Sequence, residues 1–89
     1  MARGPLSYEA AKLRARVAEC QEAFEALAKA ADECSEAILA VESGSGKPEE
    51  ALAKLSAFLD ALSHFEHELS HLSESASTIL AKLFGRREP

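Results

Sequence analysis

The chain reads as all-α: an antiparallel two-helix hairpin of coiled-coil type that dimerises into a four-helix bundle. Three observations predict it. Apolar residues recur at alternating spacings of three and four along two long runs, and a single glycine-serine stretch from Ser43 to Lys47 separates the runs. The apolar face is also wider than two helices need to cover each other. At 89 residues this is one small domain, where a single core rarely supplies more than ~3–5 kcal/mol, so association is expected to help hold it.

The elements follow in order. Residues 1–6 are read as an N-terminal tail, and Ser7 is placed to cap a first helix over 7–42. Its stripe is Leu6, Ala10, Leu13, Val17, Cys20, Phe24, Leu27, Ala31, Cys34, Ile38 and Val41, with no interruption. The loop takes 43–47, where Gly44 suits the position just past a helix end. Pro48-Glu49-Glu50 then opens a second helix over 48–84, with proline at its first position and acids in its first turn. That helix carries Ala51, Leu55, Phe58, Leu62, Phe65, Leu69, Leu72, Ala76, Ile79 and Leu83. Serines between Ser73 and Thr78 lower helix propensity and mark the place for a kink. Gly85 closes the helix and 85–89 form a C-terminal tail.

A short loop makes the helices antiparallel neighbours, and folding about the glycines pairs positions whose numbers sum to 89. That register sets Phe24 against Phe65, Cys20 against Leu69 and Ile38 against Ala51, with Glu9 near Lys82 on the flank. Leu39, Leu52, Leu59, Leu80 and Phe84 fall beside the seam and are the candidate interaction residues. On the opposite flank Ala23, Ala30, Ala37 and Ala61 are read as a line of small residues along which another backbone approaches.

A net charge of −5 argues against a nucleic-acid partner, because a phosphate backbone needs a basic face. The charge is split along the chain. Arg3, Lys12, Arg14, Arg16, Lys82, Arg86 and Arg87 sit near the termini against Glu9 and Glu88, while the stretch between is strongly acidic. Cys20 and Cys34 are fourteen residues apart, roughly 21 Å along a helix, too far to bridge, and are read as buried reduced thiols. With no apolar run long enough to span a bilayer and no signal-peptide pattern, the chain reads as cytoplasmic. The loop's glycines and Lys47 lack the first glycine and the Ser/Thr of a phosphate-binding loop.

All three histidines fall in His64-Phe65-Glu66-His67-Glu68-Leu69-Ser70-His71, which contains an H-E-x-x-H string. Over His67-Glu68-Leu69-Ser70-His71 the chain resembles the zincin metallopeptidases. That resemblance implies His67 and His71 as zinc ligands and Glu68 as general base. The H-x-x-G-x-x-H continuation does not follow His71. Over His67-Glu68-Leu69 the chain is similar to the H-box of sensor histidine kinases, which implies a phosphoacceptor at His67. Ser70-His71-Leu72 replaces the polar residue and proline usual after it, and the string lies on the second helix rather than the first. On the heptad the three histidines take outward positions, so they are expected to face water, with His64, His67 and His71 as the alternative metal-binding set.

The function expected from the sequence is a non-enzymatic protein–protein interaction module. It would serve as an adaptor, assembly factor or small chaperone-like subunit acting through its apolar flank, with no cofactor. Its partner would be a second copy or another helical protein.

Overall fold

In the computed structural model, which describes residues 4–87, two helices form an antiparallel hairpin with extensive contact along their length: α1 (Pro5–Glu42) and α2 (Pro48–Arg87). The predicted tail residues 1–3 and 88–89 lie outside the described residues. The molecule is a slab of 69 × 24 × 13 Å.

Both helices run further than the capping signals predict. α1 starts at Pro5, with Gly4 in extended geometry as its N-cap and no side-chain cap bond, so Ser7 lies inside the helix. The Gly4 carbonyl accepts from the Ser7 and Tyr8 amides at 3.1 and 3.4 Å. α2 passes through Gly85, because a glycine ends a helix where the chain turns left-handed and only Gly44 among the described residues has positive φ. The serine-rich stretch does not break α2 either: Thr78 Oγ1 donates to the Glu74 carbonyl at 2.9 Å, bonding back along the helix.

The turn is specified by its two glycines. Gly44, at φ 85°, reverses the chain; its amide donates to the Val41 carbonyl at 3.1 Å and the Ser45 amide to the Ala40 carbonyl at 2.9 Å. Those two bonds close the end of α1 as a Schellman motif. Gly46 follows because there is no room for more: a Cβ there would stand 2.7 Å from the Ala40 Cβ. At the start of α2 the Lys47 carbonyl accepts from the Glu50 and Ala51 amides.

The predicted register is present. The Phe24 and Phe65 rings are 5.7 Å apart, and Lys82 Nζ donates to Glu9 Oε2 at 2.9 Å. Nearer the loop, Lys54 Nζ meets Glu33 Oε1 at 3.1 Å.

The rotational setting of the helices differs from the predicted seam. On α1 the covered line is Glu9, Arg16, Ala23, Ala30 and Ala37, all buried or half-buried, whereas Ala10, Val17, Phe24, Ala31 and Ile38 are exposed. On α2 the covered line passes through Ala61, Glu68 and Ser75, while Leu55, Leu69, Ala76 and Leu83 are exposed. The rest of the predicted seam stays covered: Leu13, Leu27, Val41, Phe58, Leu62, Phe65, Leu72 and Ile79 are half-buried. Each helix is thus turned by one heptad position towards its small residues. The alanine flank expected to receive another backbone packs inside the hairpin instead, because short side chains let the two helices approach closely. The buried hydrophobic residues are accordingly small, namely Cys20, Ala23 and Cys34, and both cysteines are free.

Candidate functional site

Turning the small residues inward leaves several of the large ones on one open side. Val17, Phe24, Ile38, Leu55, Leu69 and Leu83, all assigned to the seam by periodicity, are more than a third exposed. The five candidate interaction residues extend the same side: Leu39 is 63% exposed and Leu52 66%, with Leu59, Leu80 and Phe84 also exposed. Three shallow hollows follow one another along this side. Near the middle Val17, Cys20, Phe24, Phe65 and Leu69 line the first. Towards the loop come a hollow bounded by Ile38, Leu39, Leu55 and Phe58 and a last one bounded by Val41, Pro48, Ala51 and Leu52. Together they form one apolar trough.

The border of the trough carries three charges among mostly short or apolar side chains, and Glu25 also lines the middle hollow. The next heptad position outward on α1 holds Ser7, Arg14, Gln21, Ala28, Ser35 and Glu42. The corresponding position on α2 holds Leu52, Leu59, Glu66, Ser73 and Leu80. Beyond it Ser56, Ser63, Ser70 and Ser77 stand at intervals of seven and lead to Phe84. Serine is short and neutral, so a line of serines beside a leucine stripe lets a neighbouring helix come close without desolvating a charge. This heptad of serines is the sequence signal that marks the open face, and it is invisible if the serines are weighed only as poor helix formers.

The closed side has the opposite character. Arg16 Nη1 pairs with Glu19 Oε1 at 3.0 Å, and Glu19, Glu22, Ala23, His64 and Glu68 border a small hollow. Glu9 is buried at 8% exposure, and the hydrogen bond from Lys82 holds its carboxyl below the usual value against the opposing effect of burial. The Lys82 and Lys12 charges add to that lowering.

The histidines do not all face water as predicted. His64 and His67 are exposed, but His71 is half-buried with Nδ1 enclosed, because the turned seam draws this side of α2 towards α1. The Glu68 Oε1 atom is enclosed for the same reason. The His67 and His71 rings lie 4.3 Å apart, tilted by 59°. Among the described residues no group of three or more His, Cys, Asp or Glu side chains is gathered to hold a metal ion. No described helix is long and apolar enough to cross a membrane.

Comparison with known proteins finds no family model, curated relative or solved structure that matches the chain.

Proposed function

We propose that the hairpin is a non-enzymatic helix-association module whose open apolar face is the binding surface. The observation that carries this reading is the direction in which the helices are turned. A two-helix protein that acts alone lowers its free energy by keeping leucine and phenylalanine between its helices, at ~25 cal/mol for each Å² of apolar surface removed from water. Here alanine and serine take part of that place beside half-buried Leu27, Phe58, Leu62 and Phe65, while Val17, Phe24, Ile38, Leu55 and Leu69 share one side with few charges. The arrangement is suited to half of a bundle, in which the open face becomes the core when another helical surface covers it. A second hairpin would complete four helices, and an amphipathic helix of another protein would fill the same trough. In either case the role is that of an adaptor, assembly or chaperone-like subunit in the cytoplasm.

The test is mass and helicity together. Sedimentation equilibrium is expected to give more than the monomer mass, and Leu59→Glu is expected to lower both mass and helicity. Ala15→Glu, on the exposed outer side of α1, should leave both unchanged. A folded monomer indifferent to Leu59→Glu would sink the reading.

A further inference from the structure

Resting on that reading, we propose that the occupant of the open face is a second copy of this chain, laid across it head to tail with the two-fold axis beside Phe24 and the two loops at opposite ends. Three observations carry it.

The first is self-complementarity of size. On the exposed line of α1, Phe24 is the midpoint, with Val17 and Ala31 seven residues to either side and Ala10 and Ile38 fourteen. A two-fold axis there sets a large side chain on a small one at Val17 on Ala31 and Ile38 on Ala10 of the second copy, with Phe24 on its equivalent at the centre. On α2 the point level with Phe24 is Phe65, whose ring it meets at 5.7 Å. About that level Leu55 falls opposite Ala76, and Leu62 opposite Leu69. Alternation of large and small across facing positions is what lets helical layers interdigitate.

The second is charge. Towards the termini the hairpin carries Lys12, Arg14, Arg16, Lys82 and Arg86 against Glu9 and Glu74. Towards the loop it carries Asp32, Glu33, Glu36, Glu42, Glu49 and Glu50 against Lys47 and Lys54. About the same axis Arg14 comes level with Cys34 of the second copy, between Asp32 and Glu36. Head-to-tail pairing lays each basic end on an acidic one, whereas pairing with the loops together lays like on like. The third is extent. The face runs along a slab 69 Å long and 24 Å wide, ample for the roughly 800 Å² that each partner of a stable complex buries. A second copy covers it from end to end.

The two arrangements separate cleanly by distance. With Ser45→Cys spin-labelled in the loop of a Cys20→Ala, Cys34→Ala chain, the head-to-tail dimer is expected to place the labels about 60 Å apart. That is twice the rise from Phe24 to the loop at 1.5 Å per residue. Loops together would bring them within roughly 20 Å, the width of two packed helices. A dimer with the short distance overturns this arrangement and leaves the association reading standing. A monomer that gains helix only when an amphipathic helical peptide is added overturns self-pairing and also leaves that reading standing. A helical monomer indifferent to Leu59→Glu removes both. Should the cysteine-free chain fail to fold, Arg14→Glu in the natural chain decides by sign. It weakens a head-to-tail dimer severalfold, and less so at high salt, but strengthens one whose basic ends lie together.

Discussion

The two sides of the hairpin seam are built from the same heptads and differ in what each helix offers one residue further round. On the closed side Ala23, Ala30 and Ala37 of α1 meet the line of Ala61, Glu68 and Ser75 on α2, and two lysine–glutamate pairs bridge the helices. On the open side Val17, Phe24 and Ile38 flank Leu55 and Leu69 across a trough. The contrast shows that a helix pair can set small residues and ion pairs on one side of its seam and leave several of its large apolar groups exposed on the other. On the proposed reading, folding of the pair and binding by the pair fall to different faces.

If that division is right, one enlargement must act very differently on the two kinds of position. Ala23→Leu inserts a branched side chain where 3% of the alanine is exposed. It should cost about 1–3 kcal/mol through overpacking or force the helices apart. Ala15→Leu, on the exposed outer side of the same helix, should stay within about 0.5 kcal/mol. Thermal melts of the two variants test this, and equal effects would mean that the helices are not set with Ala23 between them.

The turn gives a smaller effect of the same kind. Gly46→Ala drives a Cβ to 2.7 Å from that of Ala40, so the last turn of α1 and the loop must shift. A loss of about 1 kcal/mol is expected, comparable to other strained loop positions. Because the shift splays the loop end, the Lys54–Glu33 pair should weaken before Glu9–Lys82 does. Nuclear magnetic resonance of the two lysine side chains would separate them.

Much of this architecture is legible in the sequence. The helices, the loop and the register all follow from spacing, since a stripe of threes and fours fixes which residues lie level with one another. That is why Phe24 finds Phe65 and Glu9 finds Lys82. The rotational setting does not follow from spacing. The lines through Ala23 and through Phe24 both satisfy the heptad about Cys20 and Leu27, and the choice depends on how closely two backbones can approach, which is set by side-chain size on both helices at once. The exposure of Leu39, Leu52, Leu59, Leu80 and Phe84 follows from either seam, whereas that of Val17, Phe24, Leu55 and Leu69 does not, because periodicity counts them as core. Helix ends were misplaced for a related reason: Ser7 and Gly85 have capping chemistry, but the chain around them continues to turn as a helix.

The mildest effect concerns acid, and it isolates the closed side. The Lys82 hydrogen bond holds the Glu9 carboxyl below its ordinary value near 4.5, with burial acting in the other direction. A carboxyl whose value is lowered by folding contributes stability that is fully present above its unfolded value and is lost as pH falls through its folded one. The melting temperature of the natural chain should therefore fall more steeply than that of Glu9→Gln as pH drops below that ordinary value. The gap between them, widest at neutral pH, should close in acid. Leu80→Gln, on the open face, should shift the melting temperature without changing its pH dependence, because no carboxylate loses its partner. If the Glu9→Gln curve instead ran parallel to the natural one down to low pH, the pair would not be formed in solution, and the terminal end of the closed seam would be held by its small residues alone.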